Sequence, residues 1–221
     1  MAAADLRLPV FPLPDVVFFP ETVLPLHVFE PRYRRMIADC LAGDRWLAVA
    51  MLRPGWEREY EGRPPIHEVA GAGEIIQAEA LPDGRFNVLL DGRMRVRIEE
   101  EASGARPYRV ARARRLADVG PQAMDQAFGE RLRTLRAVYG RLLVALGQSH
   151  ADLVGRVTLA GARPATLIDR VVSAVIPDAA VRQEILETAD VDARLTRATA
   201  TLADLLALVV GPGGEDGTDD A

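Results

Sequence analysis

The residues of this chain that could do chemistry are few and far apart. The 221-residue sequence has three histidines, one cysteine and no lysine. A zinc site needs several Cys, His, Asp or Glu ligands at short spacing, and His27, His67, His150 and Cys40 do not offer that. Ser149 and His150 are neighbours in sequence, but a nucleophile and its base must be held together in space by a third group. The sequence predicts no catalytic residue, no metal site and no cofactor.

The remaining reactive groups have structural explanations. Cys40 lies on the apolar face of a predicted helix, where a thiol is expected to be buried and inert. Glu99, Glu100 and Glu101 are consecutive, so on a strand they alternate between faces and are expected to be solvated. His27 lies in an apolar segment rich in proline, where packing and a local hydrogen bond are favoured over a functional role.

Arginine recurs with the period of a β-strand at Arg93, Arg95 and Arg97. Further arginines follow at Arg109, Arg112, Arg114 and Arg115. Such a face could bind an anion or an acidic peptide, because guanidinium pairs well with carboxylate and phosphate. The net charge of −5 favours the alternative, a solvated sheet face whose arginines pair with nearby Asp and Glu. Whether this face binds anything is left open.

Large aromatic side chains are the better candidates for a binding surface. Phe18 and Phe19 lie in a segment whose prolines disfavour regular strand pairing, and Trp56 and Tyr60 lie in a polar loop without an obvious core. Exposed aromatic side chains often anchor a partner peptide. The alternative is that Phe18 and Phe19 plug the end of a barrel and that Trp56 folds back on it.

The elements that must position these residues change character near residue 120. Residues 8–37, LPVFPLPDVVFFPETVLPLHVFEPRYRRMI, begin as an extended apolar ribbon broken by prolines, which predicts neither a helix nor a central strand. Pro31 then opens a helix that ends at Gly43. The further predictions up to residue 116 are strands over 46–52, 73–81, 86–90, 94–98 and 108–116, a loop over 53–65, a turn at Pro82-Asp83-Gly84 and a hairpin at Asp91-Gly92.

The second half has the periodicity of helices. A long amphipathic helix is predicted from about 124 to 146. Shorter helices follow at 152–159, from Pro164 to before Pro177, from Asp178 to Thr188 and from Asp190 to Val209, with the aspartates as N-caps. The predicted fold class is α+β, an antiparallel β meander or partly closed barrel with one helix, followed by a helical bundle. The expected domains are 1–118, 119–210 and a disordered acidic tail at 211–221.

Composition excludes several classes of protein. The chain is 49% hydrophobic and 27% charged, which is globular composition, and its acidic balance disfavours nucleic acid and anionic membranes as partners. A single cysteine allows no internal disulfide, which fits a reducing cytosol. The start resembles no signal peptide, and no apolar run approaches the ~20 residues that span a bilayer. A cytoplasmic protein of unknown oligomeric state is expected.

Two segments carry a family resemblance. FPLPDVVFFPETVLPLHVFEPRYR at 11–34 and GAGEIIQAEALPDGRFNVLLDGRMRVRIEE at 71–100 resemble the N-terminal, substrate-binding domain of Lon proteases, most closely the small stand-alone bacterial members. The resemblance implies a module without the ATPase and protease domains. Lon chemistry needs a lysine in its Walker A loop and in its Ser–Lys dyad, and these 221 residues contain none.

Three hypotheses for function follow. The resemblance implies a non-catalytic module that recognises unfolded or apolar polypeptide segments. The first alternative is an adaptor that binds one folded partner through the helical bundle or a sheet edge. The second is an enzyme of unrecognised type, which would require a deep pocket with converging ionisable groups.

Overall fold

The computed structural model describes residues 5–59, 62–101, 106–120, 125–147 and 162–211. Several predictions fall outside these ranges and are not tested by it. They are the site residue Tyr60, the Ser149-His150 pair, the helix at 152–159 and nearly all of the acidic tail.

Six strands and five α-helices lie in the described ranges. The strands are β1 (Asp5–Leu13), β2 (Val23–Val28), β3 (Trp46–Met51), β4 (Val69–Ala80), β5 (Phe86–Glu101) and β6 (Arg109–Leu116). The helices are α1 (Pro31–Ala42), α2 (Gln126–Ala145), α3 (Pro164–Val175), α4 (Ala179–Glu187) and α5 (Val191–Val210), and a 3-10 turn covers Trp56–Glu59. This confirms the predicted α+β class.

The six strands form one sheet in the order β2-β5-β4-β3-β1-β6. Strand β6 also pairs with the second half of β5, so the sheet curls and partly closes on itself. All pairings are antiparallel except that of β1 with β3. A parallel pair needs a long crossover, which residues 14–45 supply.

The prediction that the ribbon contains no central strand was wrong for its first part. Strand β1 pairs with β6 through residues 5–10 and with β3 through residues 10–13. Each edge of β1 is therefore paired over only part of its length. Pro9 precedes the pairing with β3, which starts at Val10, and Pro12 follows the pairing with β6, which ends at Val10, so neither proline lies where both edges of β1 are paired.

The prediction of a hairpin at Asp91-Gly92 was also wrong. Strand β5 runs through both residues, and the turn between β4 and β5 is the other predicted one, where Gly84 has φ 80°. Gly92 instead exchanges backbone hydrogen bonds with the ribbon: its N–H donates to Thr22 O and its carbonyl accepts from Glu21 N, both at 2.8 Å. The glycine serves a non-local contact that a local turn signal cannot reveal.

Helix α1 covers the larger core of the sheet. Its apolar face, at Tyr33, Met36, Ile37 and Cys40, is buried as its spacing predicts. The Tyr33 ring packs on Phe11 of β1 with centroids 4.5 Å apart. Burial raises the pKa of Cys40 to about 12, which agrees with the prediction of an inert thiol.

A hydrogen bond ties helix α1 to the start of β6. Tyr108 donates its hydroxyl to Asp39 Oδ2 at 2.7 Å, and Arg35 pairs with the other carboxylate oxygen at 2.9 Å. The Tyr108 bond holds the pKa of Asp39 below its usual value. Burial, with the bond to Asp39, raises the pKa of Tyr108 to about 12. Both shifts make the free energy of unfolding depend on pH.

We expect the alkaline stability of the protein to depend on Tyr108. An unfolded tyrosine loses its proton near pH ~10, whereas folded Tyr108 holds its proton to about 12. Between these values the folded state binds more protons, so the free energy of unfolding falls as pH rises. Urea titrations at several pH values should show a shallower alkaline decline for Tyr108→Phe. Equal slopes for the two proteins would contradict this assignment.

The chain divides into two compact units, Met1–Asp118 with Pro177–Ala189, and Val119–Ile176 with Asp190–Ala221. Helix α4, expected in the helical part, thus belongs to the unit that contains the sheet. Gln183 on α4 donates to Val69 O of β4 at 2.9 Å, and Arg182 donates to Asp15 O at 2.9 Å. These bonds give α4 specific polar contacts to the sheet and to the ribbon.

The second unit is built on the packing of α2 and α5, with α3 beside α5. The caps follow the sequence: Asp125 accepts from Phe128 N, and Asp190 accepts from Asp192 N and Ala193 N. A buried ion pair joins α3 to α5, with Asp169 Oδ1 2.9 Å from Arg194 Nη1 and the side chains only 2% and 0% exposed.

Candidate binding surface

Two of the predicted binding residues are not on the surface. Phe18 and Phe19 are 2% and 0% exposed, so neither can anchor a partner in this conformation. Phe18 belongs to the core cluster beneath α1, and Phe19 lies near the guanidinium of Arg95, 5.9 Å from its ring centroid. The alternative weighed from the sequence, that both rings fill the barrel end, agrees with this burial.

Glycines in the sheet allow the backbone of the ribbon to approach β4 and β5 closely. A Cβ on Gly71 would collide with the backbone carbonyl of Phe18, and one on Gly92 with that of Phe19. The missing side chains let the ribbon lie directly on β4 and β5. The backbone is thereby fixed so that both phenylalanine rings are covered.

Trp56 is half-buried in the 3-10 turn Trp56–Glu59. Because the ring is half-buried, the role of Trp56 as a binding residue stays a prediction. Tyr60, the fourth candidate, lies outside the described residues.

Several exposed apolar side chains of the first unit lie elsewhere, on β2 and directly after it. Val23 and Phe29 are 55% and 60% exposed, and Pro25 between them is also exposed. The alternate residues Leu24 and Leu26 pack against the core. Because side chains on a strand alternate between faces, Val23, Pro25 and His27 share the outer face, and Phe29 directly follows the strand with its ring alongside that of His27.

Neighbouring strands extend this face. Leu89 of β5 pairs with Pro25, and its neighbours Val88 and Leu90 are buried, so Leu89 points outward. Ile76, 47% exposed, is left out of the β4–β5 register at a bulge beside Leu89. Directly opposed side chains on one face lie ~5 Å apart. We call this surface the β2 strip; its residues are Val23, Pro25, Phe29, Ile76 and Leu89.

Polar groups interrupt the strip between Pro25 and Phe29. His27 Nδ1 lies 2.8 Å from Asn87 Oδ1, and its Nε2 lies 3.1 Å from Arg85 Nη1. Guanidinium can only donate, so Nε2 accepts and Nδ1 carries the proton. The His27 ring also lies alongside Phe29, with centroids 6.3 Å apart. These contacts agree with the structural role expected for His27.

Most arginines of the predicted face pair with Asp or Glu, as expected for a solvated sheet face. Arg93 lies 2.8 Å from Asp91, and Arg97 lies 3.1 Å from Glu68. Arg95 differs from the solvated arginine expected there, because it is 3% exposed and donates to Leu186 O of α4 at 3.0 Å. Helix α4 covers this part of the sheet, so Arg95 holds the helix.

The β2 strip can bind chiefly through its side chains. In the described part of the chain, no strand pairs with the second edge of β2. Pro25, in the middle of this edge strand, has no N–H to give to an added strand. The exposed apolar side chains remain available, and burying each large one against a partner is favourable by about 1.5–3 kcal/mol.

The sequence does contain the strip, but not in a form that reveals it. In VLPLHVF both alternating sets of positions are largely apolar, which predicts burial of both faces as readily as exposure of one. Only the three-dimensional position of β2 at the end of the sheet decides which set is covered.

Other kinds of site lack the necessary groups within the described ranges. There, no three His, Cys, Asp or Glu side chains are grouped so that they could hold a metal ion. None of the described helices is long and apolar enough to span a membrane.

Comparisons with known proteins all point to one family. The family model of the ATP-dependent protease La (LON) substrate-binding domain matches residues 7–204. A Lon protease of Phenylobacterium zucineum is 31% identical over 198 residues, which cover 89% of this chain and 24% of the relative. One of Trichlorobacter lovleyi is 28% identical over 197 residues, again 89% and 24%. The chain thus spans about a quarter of the length of these relatives.

Solved structures show the same fold. The crystal structure of a Lon N-terminal domain protein from Xanthomonas campestris superposes with a TM-score of 0.63 at 19% identity, covering 88% of this chain and 98% of that one. The N-terminal domain of the Mycobacterium avium complex Lon protease gives a TM-score of 0.64 at 22% identity, covering 90% and 99%.

Proposed function

This chain belongs to the Lon substrate-binding domain family, and we propose that it is a non-catalytic module that binds apolar segments of unfolded polypeptides at the β2 strip. The observation that carries the proposal is the exposure of Val23 on the edge strand β2 and of Phe29 directly after it, 55% and 60%. Apolar side chains grouped on one face of a soluble domain mark interaction sites.

The chemistry of the strip suits an extended, apolar partner. Its residues follow a strand with a two-residue period, so a polypeptide in extended conformation could place its own alternate side chains along it. His27 within the strip, with Asn87 and Arg85 beside it, provides polar groups for the partner's backbone. Specificity would be broad, since the strip selects apolar character and offers few directional bonds.

The absence of catalysis is part of the proposal. These 221 residues contain no lysine for a Walker A loop or a Ser–Lys dyad. Cys40, the single thiol, is buried, with its pKa raised to about 12. The described residues offer no activated nucleophile by this route.

Titration with a permanently unfolded protein, such as reduced and alkylated α-lactalbumin, tests the proposal. Phe29→Ser should weaken binding about tenfold, since the lost apolar burial amounts to about 1.5 kcal/mol or more. Fluorescence anisotropy of the labelled ligand would give the affinity. Phe29 is exposed, as is Leu208, the control position described next, so neither change should disturb folding.

A matched control is available in the second unit. Leu208 of α5 is 79% exposed, and Leu208→Ser removes a comparable apolar side chain from the surface. It should leave the affinity unchanged. Absence of binding by the unaltered protein at high micromolar concentration would refute the proposal, and a loss with Leu208→Ser alone would favour an adaptor that uses its helical part.

A further inference from the structure

A second feature of the first unit, separate from the β2 strip, is a small cavity lined by arginines. Its volume is about 70 Å³, and Arg32, Arg63, Arg106 and Arg109 line it together with prolines, a glycine and two tyrosines; the described residues of its wall include no Asp or Glu. A water molecule needs about 10–15 Å³ of such space. The cavity therefore has room for a few waters or for one small oxyanion.

The innermost of these arginines is fixed in place. The Arg109 side chain is only 7% exposed. Its Nη2 donates to Pro64 O at 2.5 Å, and its Nη1 donates to Glu101 Oε1 at 3.2 Å. Burial lowers the pKa of Arg109; Glu101 and Tyr33 oppose this shift, and the nearby charges of Arg63 and Arg32 reinforce it. Several guanidinium groups thus lie close enough to repel one another.

The carboxylates around the cavity do not balance these charges. Arg32 pairs with Glu30 at 3.0 Å. Arg63 and Arg109 share one carboxylate, that of Glu101, at 3.6 and 3.2 Å.

Arg106 lies 5.8 Å from the Tyr108 ring centroid, and its charge helps to lower the pKa of Asp39, a carboxylate that Arg35 and Tyr108 also contact. Among the described residues, the four guanidinium groups thus outnumber the nearby carboxylates of Glu30, Glu101 and Asp39. An anion entering the cavity would lower the mutual repulsion of the arginines.

We propose that this cavity binds an oxyanion, a carboxylate or a phosphate group, through Arg63, Arg106 and Arg32, with Arg109 fixing the wall behind them. Guanidinium groups match both oxyanions geometrically and remain charged at every physiological pH. The cavity is far smaller than the ~300 Å³ of typical sites for whole organic ligands. It fits the charged group alone.

A wider depression adjoins the cavity and could hold what carries the anion. Its volume is about 560 Å³, it is lined in part by Arg35 and Asp39, and it shares Arg106 and Pro107 with the small cavity. An anion carried on a polypeptide, such as a glutamate side chain, would have space here for the neighbouring chain. A free phosphate ion would use the small cavity alone.

Calorimetric titration of the full chain at low ionic strength distinguishes these sources. The probes are inorganic phosphate, a capped Gly-Glu-Gly peptide and a capped Gly-Gln-Gly peptide. We expect saturable binding of phosphate, with a Kd of about 1 mM or tighter. Binding of the Glu peptide but not the Gln peptide would extend the site to anions on polypeptides, and binding of phosphate alone would restrict it to free oxyanions. Failure of both anions to bind would overturn the proposal.

Two variants locate the binding. Arg106→Gln should weaken phosphate binding about tenfold, because it removes a charged hydrogen-bond donor, and Arg63→Gln should act in the same direction. Arg106 and Arg63 are exposed, so folding should tolerate both changes.

Arg115→Gln is the matched control. It makes the same change of charge at an exposed site on β6, six residues or about 20 Å from Arg109. If Arg115→Gln weakened binding as much as Arg106→Gln, the anion would be held by overall charge, and the proposed site would be wrong. The outcome is independent of the β2 strip, since none of these residues belongs to it.

Discussion

Gly71→Ala is expected to destabilise the first unit by about 3 kcal/mol or more, one of the largest effects of any single methyl group in this chain. The added Cβ would overlap the carbonyl oxygen and carbonyl carbon of Phe18. These are backbone atoms of a segment held by Gly92 and Thr22, so they cannot move aside as a flexible side chain could. Relief would require the ribbon to lift away and expose Phe18 and Phe19.

Urea unfolding followed by tryptophan fluorescence measures this effect in the right unit. Both tryptophans, Trp46 and Trp56, belong to the first unit. The matched control is Gly140→Ala in α2, where a Cβ meets nothing within 4 Å. That change should stabilise the helix by about 1 kcal/mol, seen in circular dichroism. A Gly71→Ala protein as stable as the unaltered one would show that the ribbon does not lie on β4 as described.

Asp169→Asn is expected to cost the second unit about 3–5 kcal/mol, because it leaves the buried charge of Arg194 without its carboxylate. The pair is 2.9 Å apart and almost fully excluded from solvent. The exposed pair of Arg131 and Asp192, 2.7 Å apart, provides the comparison. Arg131→Gln should cost less than about 1 kcal/mol, since water and salt screen an exposed pair. Helical circular dichroism during urea titration reports both values.

The double change Asp169→Leu with Arg194→Met separates the cost of breaking the pair from its net contribution. Replacing both charges with apolar groups of similar size is often close to neutral, because neither ion must then be desolvated. We expect most of the stability lost with Asp169→Asn to return. A double variant less stable than Asp169→Asn would mean that the pair itself stabilises the unit.

The helices and most strands could be predicted because their signals are local. The buried face of α1 follows from the spacing of Tyr33, Met36, Ile37 and Cys40. The starts of α4 and α5 follow from Asp178 and Asp190, whose side chains accept from backbone N–H groups two and three residues ahead. None of these features depends on distant parts of the chain.

The features that failed prediction depend on contacts between distant segments. Gly92 follows Asp91 in a typical hairpin pattern, but its role is to admit the Phe19 backbone from more than seventy residues away. The place of α4 in the first unit rests on bonds such as that of Gln183 to Val69. Sequence spacing carries no record of such contacts.

The candidate sites were hidden for the same reason. The exposure of Val23 and Phe29 depends on β2 being the edge of the sheet, which its apolar sequence does not announce. The arginines of the small cavity come from α1, the loop before β4 and the region of β6. Of these, only Arg109 belonged to the arginine pattern visible in the sequence.

The most direct test of polypeptide binding at the β2 strip is a methyl NMR titration of the protein labelled at Ile, Leu and Val with an unfolded polypeptide. The strip carries suitable methyl groups at Val23, Ile76 and Leu89, and exposed Val144 and Leu208 in the second unit report on a competing surface. We expect shifts at the three strip residues and none at Val144 or Leu208. Binding that shifts only the second unit, or that leaves all three strip residues unchanged, would contradict the account.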